Sequence, residues 1–145
     1  MNIGLYIKSF LVSVAAFFLP VVPLILLVGV FILGDTGLGL WAAKRRGERI
    51  SSRKLGNIIP KMVLYQAAVV TAFLLDTFLL GEFISILFSI DILFTKLVAM
   101  TLIFIEGVSI DENFTTITGK NMFRAFKEMI TRTADLKNDI KKLND

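Results

Sequence analysis

The chain has 145 residues, 55% of them hydrophobic, with 16 Lys and Arg against 12 Asp and Glu and neither Cys nor His. Its mean hydropathy is +0.75 and only 19% of its residues are charged, against roughly 25% in an average soluble domain, so much of its apolar surface must meet lipid. The missing Cys and His exclude disulfides, thiolate or imidazole zinc sites, and Ser-His-Asp or Cys-His catalysis.

From Ser9 to Leu33 the chain carries no charge, a run longer than the about 20 residues a helix needs to cross a ~30 Å hydrocarbon core. It continues far past the apolar core of a signal peptide, so it reads as an uncleaved span over about 9–33. Pro20 and Pro23 lie inside and predict a kink, since neither can donate to the carbonyl four residues back. Two further spans are predicted over about 62–80 and 85–105, with Gly81-Glu82 as the turn between them. The fold class is therefore an all-α integral membrane protein with about three transmembrane helices. Ala68 and Ala72, like Ser9 and Ser13, put small residues four apart, the spacing through which helices approach closely in lipid.

The connection at 43–61 carries Lys44, Arg45, Arg46, Arg49, Arg53, Lys54 and Lys61 against the single Glu48. Short loops this basic stay in the cytoplasm, which places the N-terminus outside and the C-terminus inside. The basic stretch reads as a topology signal with some attraction to anionic lipid, not as a nucleic-acid site. Residues 1–113 then form the transmembrane domain and 114–145 a cytoplasmic helical tail.

Asp35-Thr36-Gly37 matches the D-T-G of aspartic proteases, but such enzymes place it on a turn of an all-β domain and pair two copies across a cleft. Here the flanks lack period-two alternation, and Asp35 falls where a long apolar segment meets cations, within reach of Lys44, Arg45 or Lys61. Gly34, Gly37 and Gly39 would let another backbone approach there. Glu106, Ser109 and Asn113 recur at i, i+3 and i+7, one face of a helix continuing from the third span, at the same depth as Asp35 and Lys61. Asp76, Asp91 and Lys96 fall inside the second and third spans. An unpaired charge there costs roughly 2.5–3.5 kcal/mol, so Lys96 is expected to pair with Asp76, within a chain or between chains. No residue set suggests a cofactor or a metal, and no catalytic residue is expected.

In the tail, Met122, Phe126, Met129, Thr133, Leu136, Ile140 and Leu143 repeat at alternating spacings of four and three, as a coiled coil requires. Interspersed Lys and Arg suit an amphipathic helix on an anionic leaflet equally well, and Asp135 and Asp139 favour an oligomer contact.

Asp35-Thr36-Gly37, Ala43-Lys44, Ser51-Ser52, Lys54-Leu55 and Lys61, followed by Glu106, Ser109, Ile110, Glu112 and Asn113, together resemble the phage holin family that includes toxin-secretion/phage-lysis holins. The resemblance covers about residues 30–115, with Ile105 where members often have Asn and no Pro after the second motif. It implies a phage or prophage protein that accumulates in the bacterial inner membrane and forms homo-oligomers. At a set time these would open holes for a partner endolysin, leading to host lysis or toxin release. The other expectation is a non-catalytic structural subunit of a larger membrane complex.

Overall fold

The structure is a computed structural model that describes residues 3–48 and 56–144. It is built of helices: α1 (Ile3–Phe18), α2 (Val22–Arg45), α3 (Ile58–Leu75), α4 (Gly81–Phe88), α5 (Leu93–Thr118) and α6 (Met122–Asn144). Among the described residues there is no strand.

Three of these stretches are long and apolar enough to cross a membrane: Val22–Arg45, Ile58–Ile84 and Leu93–Thr118. At 1.5 Å per residue each is about 36–40 Å long, ample for a ~30 Å core. α2, α3 and α5 pack on one another around Val21, Val28, Ile32, Val69, Phe73 and Ala99. Little of each span is covered by its neighbours, and Leu26, Val30, Leu33, Val63, Leu64, Met100 and Phe104 stand exposed around the bundle. Lipid is the solvent that accepts such a surface. The chain is an integral membrane protein.

The expected kink at Pro20 and Pro23 is a complete break. α1 stops at Phe18, two tight bonds follow (Leu19 N–H to Ala16 O, Val21 N–H to Phe18 O), and α2 starts anew at Val22. Pro20 cannot continue the ladder, whereas Pro23 sits in the first turn of α2, where a missing N–H leaves no bond unmade. The uncharged run is thus divided between two helices, and the first membrane-length helix extends to Arg45, taking Lys44 out of the loop and into the helix. α1 is about 24 Å long, too short to cross alone. Its side chains from Ile3 to Ala16 are exposed, and its C-terminal end meets the bundle through Phe17, 5.4 Å from the Phe73 ring and 5.9 Å from that of Phe78.

The turn expected at Gly81-Glu82 also lies elsewhere. The chain stays helical there, passing through one π-turn at Asp76–Leu80, and reverses instead between Phe88 and Leu93. Gly81 serves the π-turn: a Cβ at this position would stand 2.7 Å from the carbonyl oxygen of Asp76. The reversal uses two residues in the left-handed region, Ser89 at φ 50° and Ile92 at φ 48°, an outlying conformation for a β-branched residue such as Ile92. Asp91 accordingly lies exposed in the turn, outside the third span. At the far end α5 continues past Asn113 to Thr118 and is stopped by Gly119 at φ 76°, whose N–H bonds Thr115 O.

Candidate functional site

The basic ends of α2 and α3 converge with the C-terminal half of α5, and there the bundle encloses charge. Lys61 in the first turn of α3 places Nζ 3.0 Å from Asp35 Oδ2 on α2 and 2.5 Å from Glu106 Oε2 on α5. Asn113, two turns beyond Glu106, donates from Nδ2 to Asp35 Oδ1 at 3.0 Å. The Tyr65 ring, one turn along α3, lies 5.9 Å from Lys61 Nζ. Three spanning helices are thus joined through one ammonium group.

Burial sharpens the electrostatics. Glu106 is wholly buried and Asp35 is 9% exposed, while the Lys61 side chain keeps 31% of its surface. Asp35 has both carboxylate oxygens hydrogen-bonded. Glu106 has neither: its contact with Lys61 is close but off-axis, an ion pair without hydrogen-bond geometry. Two carboxylates share one cation, so the cluster is net negative when both are ionised. Buried carboxylates of this kind repay their desolvation only while their shared cation is present.

A cleft of about 310 Å³ opens beside the cluster, lined by Asp35, Thr36, Gly39, Asn57, Lys61 and Asn113 among others. The glycines act differently from the sequence expectation. A Cβ on Gly34 would meet Ile110 Cδ1 at 3.7 Å and one on Gly39 would meet Asn113 Nδ2 at 3.4 Å, while Gly37 faces open space. Side chains of α5, not a neighbouring backbone, occupy the room that Gly34 and Gly39 leave.

The other motif residues are spread around this centre. Thr36 returns its hydroxyl to Ile32 O in its own helix. Ser109 is half-buried, Glu112 and Lys44 are exposed, and Ser51 and Ser52 lie outside the described residues. Asp35-Thr36-Gly37 is helical throughout, which removes the turn that a protease aspartate needs. Beyond α2, Arg46 pairs with Glu48 at 2.6 Å, a hydrogen bond that raises the guanidinium's already high pKa.

At the opposite end of the bundle a second buried contact closes the fold. Asp76, 2% exposed, accepts from Thr95 N–H at 2.6 Å and from Thr95 Oγ1 at 2.5 Å. Thr95 lies in the first turn of α5, so an acid on the π-turn caps a helix across the bundle. Lys96, expected to pair with Asp76 within a chain or between chains, follows Thr95 in sequence and makes no ion pair within 4 Å among the described residues of its own chain. Sequence reasoning also missed Gln66, whose amide donates to Ile25 O on α2 at 3.0 Å. Tyr65 and Gln66 interrupt an apolar run, and that polarity was the available signal.

α6 begins on a built cap. Asn121 Oδ1 accepts from Arg124 N–H at 3.0 Å, and Asp111 Oδ1 of α5 accepts from Met122 N–H at 2.7 Å. Met122, Phe126, Met129 and Leu136 are exposed, as are Phe123 and Ile130; the side chains of Ile140 and Leu143 lie outside the described residues. Lys120 pairs with Glu128 at 2.5 Å, and this hydrogen bond holds the Glu128 carboxyl below the usual carboxylate range.

An all-helical membrane protein whose polar groups are turned inward between three apolar spans is the class of molecule that the fold and the cluster define. A family model described as the bacteriophage holin family matches residues 12–135, and the chain belongs to that family. This is a family of non-enzymatic, membrane-permeabilising proteins. No curated protein matches the chain, and no solved structure matches it.

Proposed function

We propose that this protein is the hole-forming component of a phage or prophage lysis system. Copies insert in the bacterial cytoplasmic membrane with the N-terminus outside and both the basic stretch after α2 and α6 in the cytoplasm, the side that short Lys- and Arg-rich loops keep. They associate with one another and open holes through which a partner endolysin reaches, or is released onto, the cell wall. The work is mechanical, and no step in it needs a catalytic residue.

The observation that carries this reading is the Asp35–Lys61–Glu106 cluster with Asn113. A hole filled with water needs polar lining, and a closed, lipid-facing bundle must hide the same groups. With α2, α3 and α5 drawn together on Lys61, those groups are concealed and the outer surface is apolar. Separation of α3 from α2 and α5 turns them toward water, where their charge is no longer costly, and neighbouring copies that separate together share one aqueous lumen. α1, exposed along most of its length, offers further apolar surface through which copies can associate.

The test is inducible expression in a bacterium, recording membrane potential and uptake of an impermeant dye, with and without an endolysin that lacks a secretion signal. Abrupt depolarisation after a delay, with lysis only when the endolysin is present, is the expected result. A normal potential at high membrane levels would refute hole formation and favour a structural subunit that needs other proteins, to be sought by what co-purifies.

A further inference from the structure

α6 carries an apolar face that nothing among the described residues covers. On a helical projection at 100° per residue, Met122, Phe123, Phe126, Met129, Ile130, Thr133 and Leu136 fall within an arc of about 140°. Phe123, Phe126, Met129 and Ile130 are 77%, 57%, 58% and 53% exposed. The seam of a coiled coil would use only the positions from Met122 through Phe126, Met129 and Thr133 to Leu136, about 80° of that arc, and would leave Phe123 and Ile130 in water.

Between Met122 and Leu136 two cations flank the arc, whereas Lys137, the residue after Leu136, falls inside it at about 60° from Met122. Lys127 lies about 40° beyond one edge and Arg132 about 40° beyond the other, with Arg124 on the far side. After Asn113 the chain has seven Lys and Arg against four acids, and one of those acids, Glu128, is engaged by Lys120. Long cationic side chains flanking a wide apolar stripe reach back to anionic headgroups while the stripe enters the acyl boundary. The helix also starts in the right place. Only Gly119, Lys120 and Asn121 separate it from the end of a spanning helix, and Asp111 holds its first N–H against α5.

We propose that α6 lies in the plane of the membrane, on the leaflet at the basic end of the bundle, with Phe123, Phe126, Met129 and Ile130 in the acyl boundary and Lys127 and Arg132 on anionic phospholipid headgroups. This surface is independent of hole formation and stands or falls without it.

The chain has no Cys, so the full-length protein with Phe126→Cys, Ile130→Cys or Thr131→Cys takes one environment-sensitive fluorophore at a chosen place. Thr131 is about 180° from Met122, outside the apolar arc, and serves as the control. Each labelled protein is reconstituted in phosphatidylcholine vesicles with phosphatidylglycerol, and quenching by nitroxide-bearing lipid is measured. Labels at 126 and 130 should emit to the blue and be quenched several-fold more strongly than the label at 131. Adding Lys127→Glu and Arg132→Glu should reduce quenching at 126 at least two-fold. Three labels in water would overturn the proposal. So would labels at 126 that avoid lipid nitroxide but quench one another between copies, the mark of a coiled coil. Quenching at 126 that ignores both charge reversals would overturn the headgroup contact.

Discussion

Replacing Lys61 by Met removes the one cation that two buried carboxylates share and leaves a side chain of similar length in its place. At an effective dielectric of about 20, charges 3.0 and 2.5 Å apart attract by about 5–7 kcal/mol each. The two carboxylate oxygens touching Nζ lie no more than about 5.5 Å apart, so once Lys61 is gone they repel by at least about 3 kcal/mol unless one takes a proton. These gross terms are offset by the desolvation of all three groups, and deleting one member of a buried pair costs about 3–5 kcal/mol net. The Lys61 side chain is 31% exposed, and solvent screening puts the expected loss near the lower end, about 3 kcal/mol. For a chain of this length that corresponds to a Tm lowered by about 6–12 °C. Trp41, the only Trp, reports unfolding in detergent by its fluorescence. Glu106→Gln removes the surplus negative charge and leaves Asp35 and Lys61 as a neutral pair, so it should cost about 1 kcal/mol or less. Adding Glu106→Gln to Lys61→Met should recover part of the loss, because one orphaned carboxylate disappears. A Lys61→Met protein that melts with the parent, or a Glu106→Gln protein as damaged as Lys61→Met, would show that Lys61 is not the cation on which both carboxylates depend.

Asp76→Ala deletes a charged cap from α5 and should cost about 1.5–3 kcal/mol, with faster amide exchange at Thr95; unchanged exchange there would mean the cap is not what holds the turn. Gly81→Ala places a methyl against the Asp76 carbonyl and should destabilise by about 1–3 kcal/mol, whereas Gly37→Ala, facing open space, should be neutral or slightly stabilising; equal effects in thermal melts would deny the π-turn its glycine requirement. Gly39→Leu wedges Asn113 away from Asp35 and, in the depolarisation assay, should shorten the delay before hole opening; an unchanged delay would detach this contact from the closed state. Glu128 titrates below the ordinary carboxylate range because of Lys120, so the contribution of that pair is present at neutral pH and is lost as the pH falls through the depressed value. An NMR titration of Glu128 in the Lys120→Met protein should return it to the ordinary range, and no movement would refute the pairing.

Local composition was enough to determine some things. An uncharged run between Ser9 and Leu33, with two further apolar stretches behind it that carry only Asp76, Asp91 and Lys96, is a statement about solvent, and it requires lipid and helices. The same reasoning found that Asp35, Lys61, Glu106 and Asn113 share one end of the bundle, because depth follows from counting residues along each span. Azimuth and partner choice do not follow from counting. Lys61 meets Asp35 across 26 residues and Asn113 meets it across 78, and only the packing of α2, α3 and α5 decided that Lys61, not Lys44 or Arg45, would be the shared cation. Asp76 found Thr95 and not Lys96 because the start of α5 presents an unsatisfied N–H toward it, and a helix end needs that bond more than a half-exposed lysine needs an ion pair. The displaced reversal has a similar cause. Gly81 reads as a turn in the sequence, yet the close approach of the Asp76 carbonyl in a π-turn accounts for it equally well, and two helix-compatible uses of one glycine are distinguished only when the backbone around it is in place.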